Sequence, residues 1–245
     1  MTLLGKLTDI IYPLRCHGCR DFIDRNETGF FCTDCYSDFS RISSPMCPVC
    51  STPFVSDTQE DHLCEDCLRD RPSYQSAFAA YHYKGAIVKA IYQFKYGAKT
   101  YLSESLGRLL AEYAEGLSME SGNLLIVPVP LHPKRLRERG FNQGLLLARH
   151  VALHLKAELD FLSLKRTRYT APQASLKKGE RKKNVRGAFQ VENPGAVEGK
   201  TILLVDDVST TGNTLNECSR ILIKSGCMKV FCLILAKAGD RGIFT

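Results

Sequence analysis

The 245-residue sequence has no run of about 18 or more apolar residues, the length that a helix needs to cross a bilayer. It also has no cleavage site of small residues after its first apolar stretch, which Gly5 and Asp9 interrupt. The first absence argues against a transmembrane helix and the second against a signal peptide. We therefore expect a cytoplasmic protein without membrane insertion.

Positive charge is scarce at the start of the chain and concentrated later. Residues 1–75 hold seven basic and twelve acidic residues, whereas residues 131–186 hold fifteen basic and four acidic residues. A concentrated positive surface indicates an anionic partner, either phosphate groups or nucleic acid. A merely solvated basic face is the usual alternative, but these basic residues lie beside the phosphate-binding motif described below.

Eight of the eleven cysteines form four Cys-x-x-Cys pairs at regular spacing. Two intervening residues make a tight turn that directs both thiols at one ion, and two such turns complete a tetrahedral site. In a cytoplasmic chain the pattern favours tandem zinc ribbons over disulfides. Sequential assignment gives the ligand sets Cys16, Cys19, Cys32, Cys35 and Cys47, Cys50, Cys64, Cys67. Spacing alone leaves a crossed assignment open, and we expect His17 and His62 to be bystanders.

The charge of this zinc module bears on its role. Its net side-chain charge is negative, and each zinc bound by four thiolates adds about −2 more. Because such a surface repels a phosphate backbone, we predict a structural or protein-docking role rather than a nucleic-acid finger. We expect the metal to supply folding energy that so short a segment lacks. The other thiols, Cys218, Cys227 and Cys232, are predicted to be core residues.

The remainder of the chain alternates between strand and helix patterns. Strands are predicted at 77–83, 124–127, 161–164, 201–205 and 230–235, and helices after Gly85 and at 102–119, 141–155 and 214–224. Such alternation predicts an α/β fold with a parallel sheet and helices on both faces, which binds ligands beyond the carboxyl ends of its strands. We divide the chain into an N-terminal helix with a double zinc ribbon (1–72) and an α/β domain (73–245).

One loop carries the most specific chemistry. The string Asp206-Asp207-Val208-Ser209-Thr210-Thr211-Gly212-Asn213-Thr214 follows the apolar run 201–205 and precedes a helix. Backbone N–H groups at a helix N-terminus and hydroxyl side chains bind phosphate, and glycine lets the backbone approach closely. Two adjacent carboxylates suit ribose hydroxyls and can hold Mg²⁺. An acidic turn with a helix cap is the simpler reading of the Asp-Asp pair alone, but the whole string indicates a ribose-phosphate site.

Two basic segments fit the same site. Lys134 and Arg135 follow the proline-rich stretch 127–133 and could meet pyrophosphate charge. Residues 165–186 hold nine basic residues and one acidic residue with few large apolar side chains, which predicts a mobile loop that folds over a ligand. Its candidate ligand- or DNA-binding residues are Arg166, Arg168, Gln173, Lys177, Lys178, Arg181, Lys182, Lys183, Asn184 and Arg186.

The Asp-Asp string resembles the signature of type I phosphoribosyltransferases. The resemblance implies that Asp206 and Asp207 contact the ribose hydroxyls of phosphoribosyl pyrophosphate (PRPP), bound with Mg²⁺. It also implies that the loop residues surround the 5′-phosphate, namely Ser209, Thr210, Thr211, Gly212, Asn213 and Thr214. The basic residues Lys134 and Arg135 would lie in the pyrophosphate loop.

The combination of motifs extends the resemblance over nearly the whole chain. Tandem cysteine pairs, the segment 128–143 (PVPLHPKRLRERGFNQ), the residues from Thr170 to Phe189 and the Asp-Asp loop together resemble the ComF competence-protein family, which includes GntX-like proteins. This implies a type I phosphoribosyltransferase-like fold and a role in handling incoming single-stranded DNA during natural transformation. The implied partners are a DNA-uptake helicase and recombination proteins.

Two functions compete at this point. One is a DNA-handling protein whose basic stretch follows the backbone, with Phe141 and Tyr169 as stacking surfaces, although packing is the more common role of such aromatics. The other is an active transferase that passes the phosphoribosyl group of PRPP to an unidentified acceptor in nucleotide metabolism. The sequence shows no evident general acid or base, so no catalytic residue is assigned.

Overall fold

The structure is a computed structural model that describes residues 14–23, 30–54, 60–97, 99–117, 122–170 and 178–239, with residues 178–181 described by their backbone only. The predicted N-terminal helix, Gln173 and Lys177 lie outside the described residues. Within these ranges no helix is long and apolar enough to cross a membrane.

A five-stranded, fully parallel sheet forms the centre of the protein. Its spatial order is β1-β7-β6-β2-β3, and a separate two-stranded antiparallel sheet is formed by β4 and β5. The strands are β1 Ser76–His82, β2 Leu124–Pro128, β3 Glu158–Leu159, β4 Leu164–Arg166, β5 Phe189–Val191, β6 Thr201–Ser209 and β7 Lys229–Lys237. The predicted parallel α/β fold is confirmed.

Helices and short segments cover both faces of the sheet. The helices are α1 Thr33–Ser37, α2 Glu65–Arg69, α3 Ala86–Tyr96, α4 Leu102–Glu115, α5 Pro133–Arg139, α6 Gln143–Leu155, α7 Lys178–Val185, α8 Pro194–Val197 and α9 Asn213–Lys224. On one face, α3, α4 and α6 pack in one apolar cluster, and on the other α9 packs with β4 and β5 in a second cluster. The three cysteines predicted as core residues are buried on this second face.

Three predicted segments differ from the observed ones. The strand predicted at 161–164 is wrong: β3, at Glu158–Leu159, pairs with β2 instead, whereas Phe161 is exposed and Leu164 belongs to the small antiparallel sheet. The helix predicted over 102–119 ends at Glu115. In the segment 165–186, predicted as a mobile loop, the described residues include the end of β4 and the helix α7. Val185 of α7 is buried, and a single apolar residue among basic ones gives no periodic pattern in the sequence.

Each zinc ribbon packs on a different face of the sheet. The first ribbon contributes Phe31 and Phe39 to the apolar cluster of α3, α4 and α6. The second contributes Ile42 and Val49 to the cluster of α9. The two ribbons therefore complete the two halves of the hydrophobic core.

The second ribbon and the residues before it also cover the outer edge of strand β1. Ile42 donates its N–H to the carbonyl of Ala80, and His82 donates its N–H to the carbonyl of Ser40, at 3.0 and 2.9 Å. Further along, Ala77 donates its N–H to the carbonyl of Val49 at 2.8 Å. Strand β1, which pairs with β7 on its other side, thus has hydrogen-bond partners on both sides.

A hydrogen bond from the start of α3 helps to hold the first ribbon in place. The Oδ2 atom of Asp38 accepts a hydrogen bond from the N–H of Ala86 at 2.6 Å. The preceding Gly85 has φ +64° and ψ −141°, a conformation that is essentially restricted to glycine. A Cβ atom at Gly85 would lie 2.1 Å from Asp38 Oδ2, so a larger residue would break the contact.

We expect Gly85→Ala to lower the free energy of unfolding by about 1–3 kcal/mol from backbone strain alone, with an added cost from displacing Asp38. In an Asp38→Ala background that added cost is absent, so Gly85→Ala should cost less. Urea denaturation of both single variants and the double variant measures the difference. Gly122→Ala is the control, since no atom lies within 4 Å of a Cβ there. Equal costs in the two backgrounds would contradict the contact.

Candidate functional site

A cleft of about 560 Å³ lies at the carboxyl ends of strands β2 and β6. The strand order reverses here, because the chain passes from β2 outward to β3 and later returns to β6 on the other side of β2. A reversal of strand order in a parallel sheet opens a crevice in which ligands bind. The loops after β2 and β6 supply His132 and the residues that follow Asp206, in agreement with the predicted location.

The two carboxylates at the end of β6 have different surroundings. Because the strand continues to Ser209, successive side chains point to opposite faces of the sheet. Asp206 lines the cleft, whereas Asp207 pairs with Lys95 of α3 at 3.0 Å, with side chains only 8% and 18% exposed. Burial lowers the pKa of Lys95, but the charge and hydrogen bond of Asp207, together with Asp206 and Tyr83, raise this pKa overall. The pair therefore gives the buried carboxylate of Asp207 a cation partner beneath the cleft.

The surroundings of Asp206 destabilise its ionised carboxylate. Burial, and then the charge of Asp207, raise the pKa of Asp206 to about 7. The charges of Lys95 and Arg166 oppose this rise without cancelling it. A bound cation or hydroxyl donors would stabilise the ionised form of such a carboxylate.

The loop after Asp206 leads into the N-terminus of α9. Gly212 is the N-cap residue, with φ +72°, and Asn216 donates its N–H to the Gly212 carbonyl at 2.8 Å. The cleft is lined by Ser209, Thr210, Gly212, Asn213 and Thr214. Thr211 does not line it, and its Oγ1 atom is buried without a hydrogen-bond partner in the described part of the chain. The arrangement suits a phosphate at the helix N-terminus.

Arg166 projects into the cleft from strand β4. Its guanidinium lies 5.3 Å from the centre of the Phe189 ring and donates to the hydroxyl of Thr170. Its Nε atom is buried and has no partner among the described residues. Burial lowers the pKa of Arg166, although the group stays cationic. A planar cation with spare donors is suited to phosphate or carbonyl oxygens.

The short basic helix α5 forms the rim of the cleft between two tyrosines. At its start, Lys134 Nζ and Arg135 Cζ lie 4.8 and 5.7 Å from the centre of the Tyr169 ring. At its end, Arg139 Cζ lies 5.1 Å from the centre of the Tyr96 ring. The Arg139 guanidinium also donates a hydrogen bond of 2.9 Å to the Oε1 atom of Gln143.

The structure brings some predicted residues together and separates others. Asp206, most of the loop to Thr214, Arg135 and Arg166 line one cleft. Arg168 donates to the carbonyls of Asn184 and Arg186, which ties β4 to the end of α7. Lys182 pairs with Asp70 of the zinc module, and Lys183 is exposed. Phe141 packs against Phe94 at 5.6 Å, which agrees with a packing role.

Other lining residues were not predicted. They are Tyr83, Lys95, Tyr96, His132 and Arg139, together with Leu131, Val208, Leu215 and Ala238. Lys95 and Tyr96 end a helix far from the Asp-Asp loop in sequence, so only the fold reveals their proximity. For Arg139, the cluster of basic residues at 134–139 was a usable signal.

The eight paired cysteines form two separate clusters that could each hold one metal ion. In each set, Cys16, Cys19, Cys32, Cys35 and Cys47, Cys50, Cys64, Cys67, all four sulfur atoms lie within 4.8 Å of one another. The Cys19–Cys32 and Cys50–Cys64 sulfurs are 3.7 and 3.6 Å apart, close to the separation of about 3.8 Å expected for a tetrahedral zinc site. The sulfur atoms are thus grouped in the two sets that the sequential assignment predicts.

Additional contacts support thiolate ligands at the first cluster. The Cys16 sulfur accepts backbone N–H groups from Gly18 and Cys32 at 3.3 and 3.2 Å. His17, predicted to be a bystander, contacts the hydroxyl of Ser105, and His62 stacks on Phe54. Neither histidine belongs to a metal-binding cluster of the described residues.

Comparison with known proteins agrees with both parts of the chain. Residues 7–68 match the double zinc ribbon domain, and residues 142–243 match the phosphoribosyl transferase domain. The DNA utilization protein YhgH of Escherichia coli is 33% identical over 230 residues, which cover 90% of this chain and 96% of that protein. Competence protein F of Haemophilus influenzae is 30% identical, covering 93% and 98%. The chain belongs to the ComF competence-protein family.

A further ComF-family relative is Competence protein ComFC of Bacillus subtilis, 29% identical over 80% of this chain and 78% of that protein. The ComF fold thus joins a phosphoribosyltransferase-like α/β domain to a double zinc ribbon. The ribbon match and the two four-cysteine clusters together support two structural zinc sites.

We expect the purified protein to contain two zinc ions per chain, because it has two complete four-cysteine clusters. Cys16→Ser should reduce the zinc content toward one and lower the melting temperature, since structural zinc contributes folding energy. Metal analysis by mass spectrometry and thermal unfolding measure both effects. Cys227→Ser, at a buried thiol outside the clusters, is the control and should retain two ions.

Lys95→Met should lower the free energy of unfolding by about 3–5 kcal/mol, because it leaves the Asp207 carboxylate buried without its cation. The double variant Lys95→Met/Asp207→Asn should recover most of this loss. Urea denaturation gives both values. Lys89→Met, at an exposed position of the same helix, is the matched control. A Lys95→Met protein as stable as this control would disprove the importance of the pair.

Proposed function

We propose that this ComF-family protein takes part in competence by handling incoming single-stranded DNA in the cytoplasm. We further propose that its cleft binds PRPP, or a related ribose phosphate, with Mg²⁺. The observation that carries the proposal is the convergence of Asp206, the loop from Ser209 to Thr214 and three arginines, Arg135, Arg139 and Arg166, on one cleft.

The described residues fit a ribose phosphate with Mg²⁺. The N-terminus of α9 and the hydroxyls of Ser209 and Thr210 would hold the 5′-phosphate. Asp206 would accept hydrogen bonds from ribose hydroxyls or bind Mg²⁺, which commonly takes one or two carboxylates, ligand phosphates and water. The bound ion would neutralise pyrophosphate charge. The unpartnered Nε atom of Arg166, which lines the cleft, supports a polar ligand at this place.

Single-stranded DNA fits the rim of the same cleft. The helix α5 is about 10 Å long and has tyrosines at opposite ends, so bases could stack on Tyr96 and Tyr169 while Arg135 and Arg139 contact phosphates. This surface replaces the segment around Lys182 as the main proposed DNA contact, because Lys182 pairs with Asp70. DNA and PRPP would then share arginines and compete.

The proposed partners are a DNA-uptake helicase and recombination proteins. Support comes from the relatives, which are two competence proteins and a DNA utilization protein. The zinc module has a surface opposite in charge to the basic segment 131–186, which suits a protein partner better than DNA.

A second candidate function is transfer of the phosphoribosyl group to an acceptor. The observation that favours it is the aromatic part of the cleft, where the edge of His132 meets Tyr169 at 5.3 Å, with Thr170 beside them. This part lies beyond the phosphate loop and could accept a planar base. Transfer would require Mg²⁺-dependent pyrophosphate release on addition of a base, abolished in Asp206→Asn.

The test is calorimetric titration with Mg²⁺-PRPP, with and without a saturating thymidine oligonucleotide. We expect PRPP to bind, and the oligonucleotide to weaken its apparent affinity through the shared Arg135 and Arg139. Asp206→Asn should lose PRPP binding and keep oligonucleotide binding. Arg135→Ala/Arg139→Ala should lower the salt dependence of oligonucleotide binding by about 0.7 log units per lost phosphate contact.

Lys182→Ala/Lys183→Ala is the matched double variant, since it removes two exposed charges from α7. If only this variant flattens the salt dependence, the DNA surface lies on α7 and the α5 assignment is wrong. Independent binding of PRPP and oligonucleotide would refute a shared surface. Failure of the wild-type protein to bind PRPP would refute the ribose-phosphate site.

A further inference from the structure

The segment 70–74 connects the second zinc cluster to the cleft. It begins three residues after Cys67, the last ligand of that cluster, and leads into strand β1. The Ser73 N–H donates to Oδ1 of Asn216, in the first turn of α9, at 2.7 Å. The Asp70 carboxylate accepts from Lys182 of α7. The helices α9 and α7 are thus both linked to this segment, the first by a hydrogen bond and the second by an ion pair.

Tyr74 lies between the metal cluster and the phosphate loop itself. It is buried in one apolar cluster with Cys47, Cys67 and Leu215, the last of which follows the loop on α9. Its hydroxyl oxygen lies 3.1 Å from the position that a Cβ atom on Gly212 would occupy. Burial, and then the neighbouring core thiol of Cys232, raise the pKa of Tyr74.

The first ribbon has a different set of contacts. Asp38 caps the start of α3, and His17 contacts Ser105 of α4. Its main-chain carbonyl at His17 accepts a hydrogen bond from Gln93 of α3 at 3.2 Å. These contacts are with helices on the opposite face of the sheet from α9. Variants of the first ribbon can therefore serve as controls for variants of the second.

We infer that the second zinc ribbon positions the phosphate-binding loop. Residues 70–74, anchored at Cys67 by the metal, hold Gly212 and Asn216 in the ligand-binding conformation. Tyr74 is a positioning residue in this scheme and does not touch the ligand. The affinity of the cleft for a ribose phosphate consequently depends on zinc at the second cluster and much less on zinc at the first. This inference rests on the proposed binding of Mg²⁺-PRPP.

The first experiment measures Mg²⁺-PRPP affinity by calorimetry in Tyr74→Ala, Tyr74→Phe and Tyr81→Ala. We expect Tyr74→Ala to weaken binding about tenfold, within the range by which residues between two sites alter their coupling. Tyr74→Phe keeps the ring and should restore most of the affinity. Tyr81 is a buried tyrosine of β1 that packs on Phe39 of the first ribbon, so Tyr81→Ala controls for lost stability.

Oligonucleotide affinity, measured on the same proteins, separates positioning from general damage. Tyr74→Ala should leave it within about twofold of wild type, because α5 does not depend on segment 70–74. If Tyr74→Ala fails to fold, Asn216→Ala tests the inference in its place. This variant removes the hydrogen bond from the Ser73 N–H and should also weaken PRPP binding.

The second experiment compares one ligand substitution in each cluster, Cys64→Ser and Cys32→Ser, with zinc content and PRPP affinity as readouts. Each should lose one zinc ion, but only Cys64→Ser should lose most of its PRPP affinity. Equal PRPP affinity in Cys64→Ser and Cys32→Ser would overturn the inference, and so would wild-type PRPP affinity in Tyr74→Ala. In either case the proposed function still stands, provided that the wild-type protein binds PRPP. Absence of PRPP binding in the wild-type protein overturns both.

Discussion

Strand β6 must be apolar on both faces, because helices and zinc ribbons cover both sides of the sheet around it. Its residues 201–205 are all buried, and the strand then continues through two carboxylates. Strand geometry directs these to opposite faces, so that Asp206 enters the cleft and Asp207 requires a cation beneath it. Lys95 provides that cation from α3. The positions of α3 and of the phosphate loop relative to the cleft both follow from this arrangement.

The sequence predicted those parts of the site that lie on one continuous stretch. The apolar run before Asp206, the hydroxyl residues and Gly212 located the strand, the loop and the helix, since each depends on local chemistry. The cation of Asp207 could not be predicted, because Lys95 is an ordinary lysine at the end of an amphipathic helix. Likewise Arg166 was recognised as basic, but its burial depends on the short β4–β5 sheet, whose apolar residues are too sparse to form a visible pattern.

The cysteine spacing predicted both metal-binding clusters and their ligands, because a tetrahedral thiolate site imposes its own geometry on nearby residues. It did not predict where the ribbons dock. Docking depends on a few apolar side chains, such as Phe39 and Ile42, that complete separate halves of the core. A boundary drawn after residue 72 divides the sequence motifs, whereas the hydrophobic core runs across it.

The hydrogen bonds along the outer edge of β1 have a consequence for a chain that lacks zinc. An open parallel sheet exposes unpaired backbone groups at its edges, and these promote association with other chains. Here the edge is closed by residues 40–49, which approach or belong to the second metal-binding ribbon. If loss of zinc from the second cluster released these residues, the outer edge of β1 would be left with unpaired backbone groups, the kind of edge that promotes association between chains.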